Sequence, residues 1–141
     1  MLYATAWTEP PGLAAYSVSR PTSTLPPSLS LINSVTTAAR SGYVCCSAKA
    51  VYSAGGPTGE VFAIDPSTGG FKKDLLQKLD FVEQEKGQRD DGGVMDFGGL
   101  RHGAHSADLS PDGKLLYIAD MCVRRCLQYV TELKYHPPQR P

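Results

Sequence analysis

The sequence predicts an all-β chain built from repeated antiparallel hairpins. Three observations predict it. Short apolar runs rich in Val, Ile, Tyr, Phe and Thr recur between clusters of turn-forming residues. Fourteen glycines and eleven prolines are spread through 141 residues, many of them between those runs. An aliphatic–tyrosine pair also returns three times, as Leu2-Tyr3, Val51-Tyr52 and Leu116-Tyr117, each followed by a second aromatic at Tyr16, Phe62 and Tyr129.

The elements follow in order. Leu2 to Trp7 and Leu13 to Val18 read as a hairpin joined through Thr8-Glu9-Pro10-Pro11-Gly12. Residues 19–42 are rich in Ser, Thr and Pro, and Pro21, Pro26 and Pro27 exclude a central strand or a stable helix there. Leu29, Leu31 and Ile32 are expected to form one short edge strand. Tyr43 to Ser47 and Ala50 to Ala54 read as strands. After the turn Gly55-Gly56-Pro57-Thr58-Gly59, Glu60 to Ile64 reads as another. Asp65-Pro66-Ser67-Thr68-Gly69-Gly70 is a turn. Leu75 to Val82 alternates as a strand, with helix left open, and Glu83 to Gly93 reads as an exposed loop. The last hairpin has Ser110-Pro111-Asp112-Gly113 between two apolar runs, where Pro111 presets φ and Gly113 accepts a positive one. An arm around Cys126 to Val130 follows it.

Stacked on one another, these hairpins form a repeat at roughly the spacing of β-propeller blades with loop insertions. Two to three blades fit residues 1–131, and residues 132–141 read as an irregular tail. A closed propeller has at least about four blades. The expected architecture is therefore a partial β-propeller: a fragment, or a chain that self-associates through open sheet edges.

Composition narrows the partners. Fourteen basic and fourteen acidic residues cancel, and the isoelectric point is near 6.8. The sequence has no basic stripe of the kind that binds nucleic acid or a membrane surface. No apolar run reaches the roughly 18 residues of a spanning helix. Met-Leu-Tyr-Ala-Thr-Ala-Trp has neither a basic start nor a long apolar core, so no secretory signal is expected. Four cysteines, Cys45, Cys46, Cys122 and Cys126, are too few for a disulfide scaffold, and reduced thiols in a cytoplasmic protein are expected.

The chemistry concentrates in Gly99 to Asp120. Arg101, His102 and His105 form a cationic, titratable cluster just before the strand–turn–strand unit. Arginine clamps carboxylates through two parallel hydrogen bonds, and histidine exchanges protons near neutral pH. Both histidines also fit a structural role, hydrogen-bonded to a neighbouring blade. Zinc is open on spacing alone, but Cys122-x-x-x-Cys126 reads better as packing. The Gly55–Gly59 stretch lacks the lysine and helix of a phosphate loop. Arg124-Arg125 reads as a solvated turn, Asp90, Asp91 and Asp96 as loop carboxylates, and Glu60 as a weak candidate ahead of a strand.

Arg101 to Asp120 resembles the seven-bladed propeller lactonase family, which places histidines ahead of a Pro-Asp-Gly turn and a Leu-Tyr-containing strand. The segments Arg40 to Cys45, Val51 to Phe62 and Val94 to Gly103 are similar, within that family, to the fungal carboxy-cis,cis-muconate cyclases. The resemblance spans roughly residues 2–130. It departs after Asp120, where Met121-Cys122-Val123-Arg124-Arg125-Cys126 stands in place of the family's glycine turn.

The resemblance implies a cofactor-independent isomerase of aromatic-acid (β-ketoadipate) catabolism. Its reaction is the reversible lactonisation of 3-carboxy-cis,cis-muconate, a small tricarboxylate, to 3-carboxymuconolactone. Arg101, His102 and His105 are the implied catalytic residues. The alternatives are a sugar-lactone hydrolase of the 6-phosphogluconolactonase type, for which no phosphate-binding cluster is visible, and an inactive propeller fragment. Further blades carrying other site residues have no counterpart in this sequence.

Overall fold

A computed structural model describes residues 1–55, 58–80 and 104–120, and the backbone of residues 125–127. All the elements described are strands, and every pairing is antiparallel. β1 (Leu2–Ala6), β2 (Gly12–Ser19) and β3 (Ser28–Thr36) form the first sheet in that order. β4 (Tyr43–Cys46), β5 (Ala50–Ala54), β6 (Thr58–Ile64) and β7 (Phe71–Asp80) form the second. β8 (Ala104–Leu109), β9 (Leu116–Asp120) and β10 (Arg125–Leu127) form the third.

Strand register makes the sequence repeat physical. Leu2 pairs with Tyr16 as Val51 pairs with Phe62, and Tyr3 pairs with Ala15 as Tyr52 pairs with Val61. β1, β5 and β9 therefore hold one place, the second strand of a blade, and β2, β6 and β10 the third. The middle sheet is a complete four-stranded blade. The first sheet corresponds to strands two to four of a blade, and the third to strands one to three. The chain is a partial β-propeller of three consecutive blade sheets. Tyr129, the third aromatic of the repeat, lies outside the described residues, as do the loop at 83–93 and the tail at 132–141.

The sheets pack in series. Leu13, Ala15, Val51, Phe62 and Phe71 form one buried cluster between the first and second sheets, with Tyr3 and Val35 against it. Phe71 sits 5.6 Å from the Tyr3 ring and 5.9 Å from that of Phe62, in tilted and edge-on contacts. A second cluster joins Tyr52, Ala54 and Val61 to Ala104, Ala107, Leu116 and Ile118 of the third sheet. Alternate residues of β5 thus face opposite neighbours, and every residue of the strand is buried.

Polar links fix the spacing of the first two sheets. Asn33 accepts from the Phe71 N–H at 2.9 Å and donates to its carbonyl at 2.8 Å. The Tyr3 hydroxyl donates to the Gly69 carbonyl at 2.8 Å.

Both Asx-type turns form as the sequence predicts. Asp65 Oδ1 accepts from the Ser67 N–H and hydroxyl, and Gly69 takes φ 75°. Asp112 Oδ1 accepts from Ser110 and from the Lys114 N–H, and Gly113 takes φ 69°. These donors hold both carboxyls below the usual carboxylate range.

Two expectations change. β3 runs nine residues from Ser28 to Thr36, longer than the short edge strand expected, because Pro21, Pro26 and Pro27 all fall before it in the hairpin connection. β7 is the strand expected, but it starts at Phe71 and not at Leu75, because cross-strand pairing to β6 runs from Ile64 to Thr58. Leu75 is exposed on this outermost strand.

Packing predicts an asymmetric response to truncation. Leu13→Ala, at a fully buried site, should cost about 2–5 kcal/mol, whereas Leu75→Ser on β7 should stay within about 0.5 kcal/mol, as read from urea midpoints.

Candidate active site

Strands of a meander alternate in direction, so the ends of β1, β3, β5 and β9 lie at one end of their sheets. The β1–β2 and β3–β4 connections and the β5–β6 turn gather there. Trp7 Nε1 donates to the Ser41 carbonyl at 2.8 Å, Thr37 N–H donates to the Pro11 carbonyl at 3.0 Å, and Arg40 pairs with Glu9. Gly55 packs its Cα against Arg40, Ser41 and Gly42, and a Cβ there would overlap their backbone.

Glu60 is buried behind this surface. Thr58 Oγ1 donates to its Oε1 at 3.0 Å and the Ala38 N–H to the same oxygen at 3.3 Å, while Ser53 Oγ lies 3.1 Å from Oε2. A carboxylate with this many donors is stable in the interior. It ties the β3–β4 connection of the first blade to the second blade and is 3% exposed. The sequence named Glu60 a weak candidate, and its geometry makes it a brace for the site end.

His105 lies near the start of β8, at the same end. Ala104 pairs with Asp120 and Ser106 with Ala119, so His105 is the extra residue of a β-bulge. Bulges re-aim side chains and are frequent beside active sites. His105 is exposed, on an edge strand that packs against β4. Arg101 and His102 lie outside the described residues. Of the three residues singled out in the sequence, the structure therefore places one.

Sequence reasoning missed the inner-strand neighbours. The Tyr43 hydroxyl of β4 reaches Asp108 Oδ1 of β8 at 3.5 Å. Burial, then the charges of Asp108 and Cys46, push the Cys45 thiol up to about 12. No sequence signal marks these contacts, because they join strands of different blades. Among the described residues no group of three or more His, Cys, Asp or Glu is arranged to hold a metal ion.

A cleft of about 460 Å³ opens at the opposite end, lined by Met1, Tyr3, Cys46, Ile64, Asp65 and neighbouring residues. Asp65 is the charged side chain among the described lining residues, and its sign is wrong for a polycarboxylate. Among the described residues no helix is long and apolar enough to cross a membrane.

The blade register and the series of sheets define a propeller-type protein, and similarity to known proteins agrees. A solved structure of a candidate 6-phosphogluconolactonase from Bacteroides uniformis superposes with a TM-score of 0.66 at 23% identity, over 97% of this chain and 36% of that one. At that identity the likeness shows the fold. In sequence, the chain is 45% identical over 121 residues to muconate cycloisomerase 1 of Cutaneotrichosporon cutaneum, which covers 85% of this chain. The chain spans 31% of the length of that relative. No protein-family model matches the sequence.

Two predictions follow from the site end. Glu60→Leu leaves the Thr58 hydroxyl and the Ala38 N–H without their acceptor and should destabilise the chain by about 2–4 kcal/mol, read as a fall in the urea midpoint. At pH 8 iodoacetamide should label exposed Cys46 well before Cys45, because the thiolate is the nucleophile and the Cys45 thiol is held neutral. Peptide mapping by mass spectrometry separates the two, and equal labelling would contradict the buried environment of Cys45.

Proposed function

We propose that this chain carries part of a lactone-forming propeller isomerase that acts on a muconate-type polycarboxylate, with 3-carboxy-cis,cis-muconate as the substrate. The observation that supports this reading is the 45% identity to a muconate cycloisomerase across 121 residues. The bulged, exposed His105 is consistent with it.

In the reaction, one substrate carboxylate oxygen forms a C–O bond to an alkene carbon. The adjacent carbon takes a proton, and the negative charge that develops in between spreads into a neighbouring carboxyl group. No electrons are gained or lost, so no redox cofactor is required. Fixed positive charge lowers this barrier, and Arg101 has the chemistry to supply it. His102 or His105 would carry the proton and return it in the reverse direction. The two histidines are equivalent candidates for that role.

Sugar-lactone hydrolysis is the second reading, prompted by the fold neighbour. It requires water as a reactant and a phosphate-binding cluster, and none is evident in the sequence.

The test follows the ultraviolet absorbance of 3-carboxy-cis,cis-muconate with a full-length protein that shares these segments, at high concentration. Loss of diene absorbance that falls at least tenfold in His105→Ala or Arg101→Ala is the expected result. Unchanged absorbance, with or without turnover of a 6-phosphosugar lactone, overturns the proposal.

A further inference from the structure

A short motif stands at the same place in two successive blades. Arg40-Ser41-Gly42 runs directly into β4, and Arg101-His102-Gly103 directly into β8, so each arginine is three residues ahead of the first strand of a blade. β4 and β8 pack against each other, and both begin at the end that holds His105. The first occurrence lies wholly among the described residues.

Arg40 sits on a connection that is held from two blades. Thr37 and Ser41, on either side of it, are buried. The Thr37 hydroxyl donates to the Ala39 carbonyl at 2.8 Å. Trp7 and Pro11 of the first blade bond to Ser41 and Thr37, and the Gly42 N–H donates to the Ala54 carbonyl of the second blade at 3.0 Å. Elements before and after Arg40 in the chain therefore set its surroundings. Its side chain still reaches the surface, 35% exposed, and pairs with Glu9, whose side chain is 75% exposed. An ion pair this open to water contributes little to stability, so another carboxylate can take the place of Glu9 at small cost.

We infer that Arg40 is a second carboxylate-binding residue of this site, taking a substrate carboxylate that does not react, in exchange for Glu9. The inference rests on the function proposed above. A tricarboxylate needs more than one cation, and an arginine on a fixed loop clamps one carboxylate through paired hydrogen bonds. Arg101 is assigned to charge that develops during the reaction, and such an interaction is felt in kcat. A spectator carboxylate carries the same charge before and during the reaction, so its partner Arg40 is felt in KM. Glu9 orients Arg40 and competes with the substrate for it.

The test measures KM and kcat for 3-carboxy-cis,cis-muconate in a full-length protein that shares these segments, with Arg40→Ala, Arg40→Lys and Glu9→Gln variants. Circular dichroism melts check folding, and Glu9→Gln, at a well-exposed position, decides the matter if Arg40→Ala does not fold. Arg40→Ala should raise KM about tenfold or more, with most of the loss in kcat/KM lying in KM. Arg40→Lys keeps the charge but not the paired geometry and should fall between parent and Arg40→Ala. Glu9→Gln should lower KM. A pair that only braces two loops would move both residues' variants the same way. A raised KM in Glu9→Gln therefore overturns the inference, as does an unchanged KM in Arg40→Ala, and in both cases the muconate reading stands. If the parent shows no turnover, that reading falls, and calorimetry with tricarballylate, a saturated tricarboxylate, decides Arg40 by itself. Binding weakened by Arg40→Ala and tightened by Glu9→Gln supports the inference. No binding to the parent, or equal binding to the parent and Arg40→Ala, overturns it.

Discussion

The structure depends on burying both faces of one strand. β5 sits second in the middle sheet, and its residues alternate between two neighbours, so Val51 and Tyr52 anchor two different cores. A sheet with one apolar face needs one partner layer, whereas a sheet with two needs a layer on each side. That requirement puts the first and third sheets where they are. It also explains why the central blade can carry a buried glutamate, since Glu60 lies deep enough to need all of Ser53, Thr58 and the Ala38 amide.

The same constraint orders the end that holds the candidate site. Packing in series brings loops that are distant in sequence to one surface: residues 7–11, the 37–42 connection and the β5–β6 turn. The bonds from Trp7 to Ser41 and from Ala38 to Glu60 cross between blades, so they record blade spacing as much as local loop shape. His105 enters that surface through a bulge, which lets an alternating strand keep Ala104 and Ala107 in the core while exposing the residue after Ala104. A regular strand would bury residues two apart, and the spacing of three is what the bulge supplies.

Much of this was legible in the residues and some was not. The aliphatic–tyrosine repeat located β1, β5 and β9 and equated their partners, and register bore it out for the first two. The Ser-Pro-Asp-Gly and Asp-Pro-Ser-Thr-Gly turns were readable because their geometry is local. β3 was underestimated, since alternating Ser and Leu carries a weak strand signal until it pairs with β2. Alternation located β7 but does not say whether a strand is central or outermost, so the exposure of Leu75 was not legible. The Tyr43–Asp108 contact and the brace at Glu60 had no sequence signature, because both depend on which blades become neighbours.

By itself, the sequence determined the class of the protein, the repeat and the chemical types gathered before β8. Short-range physics suffices for these, since strand alternation, turn conformers and side-chain chemistry are properties of a few consecutive residues. Tertiary structure decided which residues are buried twice, which face neighbours and which are left uncovered. Those outcomes depend on the order in which sheets stack: both residues of the aliphatic–tyrosine pair are core in the middle sheet, whereas at either end one packs inward (Tyr3, Leu116) and the other is exposed (Leu2, Tyr117).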